Sequence, residues 1–235
     1  NELGSIQPIA EVVKIAGDIP VHTDAVQSFG KIEFNFHNLG VAAATISAHK
    51  VGGPLGVAAL ILKHGIDLAP LLHGGGQERE IRSGTINAPA IVSFAAGAAK
   101  AISEREENFK KIRKLRDHMR SELIRVVPDL QINSPIDPAL PGVIYISIPG
   151  TDSDALLLLL DSEGISASAG SACSAGVPRP SHVLIAMGIS EELADASLRI
   201  SIGASNTQAE VDQVIAILPS VVERARSAFA VGKLS

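Results

Sequence analysis

Along the chain, short apolar runs alternate with longer stretches in which apolar residues recur every third or fourth position. Pro8 stands where a helix would begin. Residues 9–15 then carry apolar side chains at helical spacing until Gly17-Asp18 interrupts them. Residues 19–23 read as a short buried strand that stops at Asp24. Residues 41–46 read as a second, ending in Ser47-Ala48-His49-Lys50. Gly52-Gly53-Pro54 is a turn, and residues 56–62 form a third strand. Short buried strands separated by helical or irregular stretches predict an α/β sheet with mostly parallel strands.

The glycines of His73-Gly74-Gly75-Gly76 predict a flexible loop that continues to Thr85. Asn87 and Pro89 open a long helix over 90–104, and a charged, amphipathic helix follows over 106–126, closed by Pro128. The later half predicts a strand over 143–148 and a helix capped by Asp152 or Ser153 that ends near Asp161. A glycine- and serine-rich segment occupies 166–176, ahead of Pro178 and Pro180. Helices over 181–187 and 191–194, a strand over 198–202 and a last helix over 208–228 complete the reading. The expected organisation is a larger sheet domain over 1–105 and a smaller α/β domain over 106–235, with no internal repeat.

Composition narrows the function. With 235 residues, 46% of them apolar, the chain can build one large core or two modest ones. The net charge is -5, and Lys110, Lys111, Arg113, Lys114 and Arg116 are interleaved with Ile112 and Leu115, as on the wet face of a helix. Nucleic acid is therefore not the expected partner, and 3% aromatic content without Trp argues against stacking platforms. A single cysteine excludes an internal disulfide, and with scattered histidines it offers no zinc spacing, so no metal is expected. The apolar run 57–62 is far shorter than a membrane span. A reducing cytoplasm is the expected compartment. The start at Asn1-Glu2-Leu3-Gly4, without Met, runs directly into folded-looking sequence and reads as part of a longer protein.

Several residues could carry chemistry. Lys50 ends an apolar strand and precedes a glycine turn. An amine held there can form a Schiff base if partial burial lowers its pKa, although a lysine in that place can equally snorkel. Asp24 also ends a strand, where a buried carboxylate could hold a pyridinium N–H and keep the ring an electron sink. Gln27 follows one turn later, with an amide suited to a phenolic oxygen, and Ser47 and His49 offer donors suited to a phosphate. Arg199 presents a guanidinium fork that matches a carboxylate. Cys173 taken alone could be a small buried hydrophobe. Its neighbours from Ala167 to Gly176 are small, however, and offer nothing to bury a thiol, so a nucleophilic role is open. His22, His37, His64, His118 and His182 read as structural or surface residues.

Asn1-Glu2-Leu3-Gly4, His22-Thr23-Asp24-Ala25-Val26-Gln27-Ser28, Ser47-Ala48-His49-Lys50, His73 to Thr85, Gly170-Ser171-Ala172-Cys173 and Ser197-Leu198-Arg199-Ile200-Ser201 run in order through the chain. Together they resemble the cysteine desulfurases that feed iron–sulfur cluster assembly. These are fold-type I pyridoxal-phosphate enzymes of the class-V aminotransferase family. The resemblance implies part of a large, mainly parallel sheet domain plus a smaller C-terminal α/β domain. It implies pyridoxal 5'-phosphate as cofactor and L-cysteine as substrate. Lys50 would be the Schiff-base lysine, Asp24 the partner of the pyridine nitrogen and Gln27 that of the ring oxygen. Ser47 and His49 would bind the phosphate, and Thr85 the phosphate of a partner subunit's cofactor in a homodimer. Asn1 and Arg199 would hold the substrate carboxylate, with Asn1 also beside the cofactor. Cys173 would take the sulfur as a persulfide, leaving L-alanine, and pass it to a scaffold or other acceptor protein. The resemblance also implies a ring-stacking histidine and a glycine/threonine phosphate loop that this chain does not contain. The rival readings are a selenocysteine lyase on the same fold and a cofactor-free docking or dimerisation module.

Overall fold

The helical spacing near the start folds as α1 (Ile9–Ala16), stopped by Gly17, whose N–H returns to the Val13 carbonyl. The first sheet follows, with β1 (His22–Asp24), the one-turn α2 (Phe36–Leu39), β2 (Ala43–Ser47) and β3 (Ala58–Leu62). A 3₁₀ turn over Ala48–Val51 separates β2 from β3. This computed structural model describes residues 1–170 and 180–232. Strand order is β1-β2-β3, with β1 parallel to β2 and β3 antiparallel to it. Connection length decides both senses. Residues 25–42, with α2 among them, are long enough for a crossover, whereas residues 48–57 fall short of the roughly dozen that a parallel return needs.

The chain continues through α3 (Ala88–Ser103), α4 (Arg105–Val126), β4 (Gln131–Ile132), β5 (Val143–Ser147), α5 (Ser153–Ser162), α6 (His182–Ala186), α7 (Glu191–Asp195), β6 (Ser197–Ser201) and α8 (Gln208–Gly232). β4, β5 and β6 make a second sheet in that order, antiparallel throughout. Side-chain caps start several helices. Asn87 accepts from Ala90 N–H, Asp152 from Ala155 N–H, Ser181 from Leu184 N–H and Ser190 from Leu193 N–H. No helix among the described residues is long and apolar enough to cross a membrane.

Two compact units result. One comprises Gln7–Glu106, the other Asn1–Ile6 with Glu107–Ser235. The expected first domain included residues 1–6, but their contacts lie in the later unit. Leu140 N–H donates to Gly4 O at 2.8 Å, and Ser5 bridges Ala139.

In the earlier unit, Phe94 of α3 packs with Ala25, Ile46 and Ala48, while Phe29 and Phe34 meet edge to face at 5.7 Å. In the later unit the two-residue period of β5 and β6 separates two faces. Ile144, Ile146, Leu198 and Ile200 join Leu115, Met119, Leu156 and Leu218 in the main core. The opposite face carries Tyr145, Ser147, Ser197 and Arg199, with Leu3, Leu184 and Ala194 packed on Tyr145. Arg116 departs from the expected wet face of α4. It is 2% exposed, and its guanidinium donates to Asp117 and to the carbonyls of Leu140 and Ile136, fixing the loop after β4.

Candidate active site

In the earlier unit the predicted residues gather at one end of the parallel pair. Asp24 is the last residue of β1 and lies in register with Thr45, two residues before β2 ends at Ser47. Parallel strands lie about 4.8 Å apart, so the Asp24 carboxylate and the turn carrying His49 and Lys50 emerge side by side at the carboxyl end. That is the end at which open α/β sheets bind ligands. The Ser47 hydroxyl and His49 Nδ1 are 2.8 Å apart. The Asp24 carboxylate accepts Val26 N–H at 2.9 Å, which folds the chain back toward Gln27. Lys31 donates to Gln27 Oε1 at 2.9 Å, leaving the Gln27 NH₂ group as the donor available to a ligand. His22, read from sequence as structural, meets the Thr45 hydroxyl at 2.8 Å across the strand pair.

Two expectations need correction. Partial burial of Lys50 and a buried carboxylate at Asp24 were the basis for their chemistry, yet both side chains are exposed. Each projects past the end of its strand, where the sheet no longer covers it.

The turn that presents Lys50 depends on close packing against α3. A Cβ at Gly97 would sit 3.1 Å from Val51 O and 3.2 Å from Gly53 N. Gly97→Ala gains about 1 kcal/mol of helix propensity, but the backbone it would strike cannot rotate away as a side chain can. The expected result is a lower urea midpoint, by about 1–3 kcal/mol of stability, with weaker cofactor retention. A raised midpoint would show that the approach is not tight.

Thr85 is exposed at the end of the glycine loop. That loop is more ordered than its glycines predict. Gly84 N–H donates to Gln77 Oε1 at 3.0 Å, Gly76 N–H to Ser83 Oγ at 3.3 Å, and Ser83 N–H to Leu72 O at 3.1 Å. Glu78, Arg79 and Glu80 take φ values of 50°, 57° and 65°, a left-handed turn that costs roughly 1–2 kcal/mol per non-glycine residue. His73 is exposed.

The later unit holds Asn1 and Arg199. Asn1 is exposed and Arg199 half-buried. Arg199 exchanges backbone hydrogen bonds with Ser168, at 2.6 and 3.2 Å, and its Nε is buried without a hydrogen-bond partner among the described residues. An orphaned guanidinium nitrogen beside a locked backbone is the state expected of a group that awaits an acidic ligand. Cys173 lies outside the described residues. Among the described residues no group of histidine, cysteine and acidic side chains could hold a metal.

The donor set is chemically apt for a phosphorylated pyridine aldehyde. It offers an amine, a carboxylate for a ring nitrogen, an amide for a phenolic oxygen, and hydroxyl and imidazole groups for a phosphate. The sequence pattern of the family described as aminotransferase class-V matches residues 1–214. The chain belongs to the class-V aminotransferase family. Within it, the chain is 44% identical over 231 residues to an IscS-like cysteine desulfurase of Mycobacterium tuberculosis, covering 97% of this chain and 59% of that protein. It is 39% identical over 229 residues to the cysteine desulfurase IscS of Methanosarcina thermophila, covering 97% and 56%. The crystal structure of a NifS-like protein from Rickettsia africae superposes with a TM-score of 0.87 at 38% identity, over 94% of this chain and 59% of that one. The fold is thus that of fold-type I pyridoxal-phosphate enzymes, and the chain spans a little under three fifths of the length of these relatives.

Proposed function

We propose that this chain carries the pyridoxal 5'-phosphate site and the sulfur-accepting cysteine of a cysteine desulfurase. The observation that supports it most is the emergence of Asp24 and the Ser47–Lys50 turn at the same end of adjacent parallel strands. The bound cofactor would supply an electron sink for the charge released at the substrate α-carbon.

The chain's own residues supply the rest. Asp24 holds the pyridine N–H, Gln27 donates its amide to the ring oxygen, and Ser47 and His49 hold the phosphate. Arg199 and Asn1 fix the carboxylate of L-cysteine, and the orphaned Nε of Arg199 favours this role. Lys50, as a free amine, takes the proton from the substrate α-carbon and returns it on the product side. The Cys173 thiolate then attacks the substrate sulfur. An S–S bond forms as the substrate Cβ–S bond breaks, and the electron pair left on carbon takes a proton to complete L-alanine. The persulfide on Cys173 passes to a scaffold or other acceptor protein. Thr85 serves the cofactor phosphate of a partner subunit, so the working state is a homodimer, and the compartment is the cytoplasm.

The test is mass spectrometry of the chain after incubation with pyridoxal 5'-phosphate and L-cysteine, with L-alanine measured in parallel. One added sulfur on Cys173 with matching alanine supports the reading; alanine without added sulfur turns it toward a lyase. The exposure of Lys50 and Asp24 also favours a second reading, a docking or dimerisation module. A purified chain that gains no visible absorption from the cofactor would establish that one instead.

A further inference from the structure

Glu2 is 2% exposed. A carboxylate is costly to bury unless its charge is met. Its Oε2 accepts the Ser181 hydroxyl at 2.6 Å, a length typical of charge-assisted O–H···O⁻ bonds. With its one proton given to Glu2, Ser181 Oγ accepts from Leu184 N–H at 3.3 Å. The Tyr145 hydroxyl lies beside this pair: the Ser197 hydroxyl is 3.2 Å from it, and a Cβ at Gly170 would sit 3.3 Å from it and 4.0 Å from Glu2 Oε2. Tyr145 is fully buried and pairs with Arg199 directly across β5 and β6. Residues opposite one another in an antiparallel pair share a face, so the ring flanks the Arg199 side chain.

The same carboxylate anchors the segment of residues 1–5. Leu3 packs with Tyr145 and Leu184, Gly4 O accepts Leu140 N–H, and Ser5 bridges Ala139, so Asn1 projects from a fixed base. Among the described residues no ion pair joins Glu2 to Arg199. The phenol and hydroxyl between them let opposite charges share one neighbourhood without the carboxylate occupying the guanidinium fork.

We propose that Glu2 is a positioning residue for substrate-carboxylate recognition, holding Asn1 through the backbone and the Arg199 face through Ser181 and Tyr145. The proposal rests on Asn1 and Arg199 being the carboxylate-binding groups. It predicts that Glu2 governs affinity for the amino acid and not the rate of the chemical steps.

Tyr145 is the only tyrosine and the chain has no Trp, so its phenol can be titrated by absorbance without interference. Burial pushes the phenol above the ordinary tyrosine range against the opposing pull of the Ser197 and Ser181 hydroxyls; the nearby Glu2 charge adds to the rise and Arg199 opposes it. Glu2→Gln keeps the shape and removes the charge, so Tyr145 must ionise at lower pH than in the unsubstituted chain. In the cofactor-loaded protein the same variant is expected to raise KM for L-cysteine about tenfold with kcat within about twofold, the split that marks lost ground-state binding. Glu2→Asp should recover part of the affinity. Tyr145→Phe, which keeps the ring but removes the hydroxyl beside Ser181 and Glu2, should raise KM in the same sense and stands in if Glu2→Gln does not fold. An unmoved tyrosine titration, or an unchanged KM in a folded Glu2→Gln protein, overturns the proposal. If the unsubstituted protein does not consume L-cysteine, the desulfurase reading falls by itself. Glu2 is then judged by the dissociation constant for L-alanine. Weakening of about tenfold in Glu2→Gln supports its positioning role, and an unchanged constant overturns it.

Discussion

Replacing Lys50 by alanine is expected to remove the visible absorption that the cofactor-loaded protein gains and to slow alanine formation from L-cysteine by roughly 10²–10⁴-fold, the range for loss of a positioned acid–base group. The structure makes this a clean substitution. Lys50 is exposed on a 3₁₀ turn whose geometry is set by its backbone: Gly52 closes the turn in the left-handed region at φ 79°, and Gly53 N–H returns to Ala48 O at 2.9 Å. The buried member of the turn is Ala48, so shortening residue 50 disturbs no core. Exposed substitutions away from caps and cores change stability by about 0.5 kcal/mol or less, so an unchanged unfolding midpoint should accompany the lost chemistry. The loss would then belong to the amine itself. A Lys50→Ala protein that keeps both absorption and turnover would remove the cofactor reading, and with it every role given to Asp24, Gln27, Ser47 and His49.

Much of this architecture was legible because local pattern and tertiary role agree. Helices α3 and α4 fall within two residues of the positions their caps and periodicity predict, and Asp152 caps α5 as its place before an apolar run implies. β1 begins later than its apolar run, at His22, because Pro20 has no N–H to give a ladder. α2 and β4 are too short for any period to register. At the site, the strand-end positions of Asp24 and Lys50 were readable, since an apolar run stops at each. Their exposure was not, because burial depends on what covers the strand ends and no local pattern records that. Lys31 was findable: it lies four residues from Gln27, a spacing at which side chains meet on a helical turn. Gly97 also carried a signal, an isolated glycine inside a helical pattern. Arg116 carried none, and Glu2 counted only as one member of the Asn1-Glu2-Leu3-Gly4 match. Arg116 reaches Leu140 across 24 positions and so reads as a surface charge until the chain is folded, and Glu2 meets Ser181 across 179, a contact no local pattern records. The left-handed turn at residues 78–80 was equally hidden, because the glycines beside it suggest freedom while Gln77 and Ser83 hold the loop by hydrogen bonds.

Cys173→Ser is expected to leave cofactor binding intact and abolish both the sulfur gained by the chain and most alanine formation from L-cysteine. The argument is one of nucleophile chemistry. Attack on a sulfur atom needs a polarisable anion, and a cysteine near its ordinary pKa supplies a few per cent thiolate at neutral pH, whereas a serine hydroxyl supplies essentially none. The substitution differs by a single atom, oxygen for sulfur, with Ala172 before it and Ser174 after it in the sequence. Lys50 and Asp24 remain in place, so the visible band and its response to L-cysteine should persist while turnover stops. That pairing of retained binding with lost transfer separates Cys173 from Lys50, whose removal should abolish both. Selenocysteine supplies the decisive contrast. A Cys173→Ser protein that still releases alanine from selenocysteine at an undiminished rate, in a chain whose unsubstituted form acts poorly on L-cysteine, would identify a lyase, because such an enzyme expels selenium without a protein thiol to receive it. Loss on both substrates would assign the accepting thiol to Cys173.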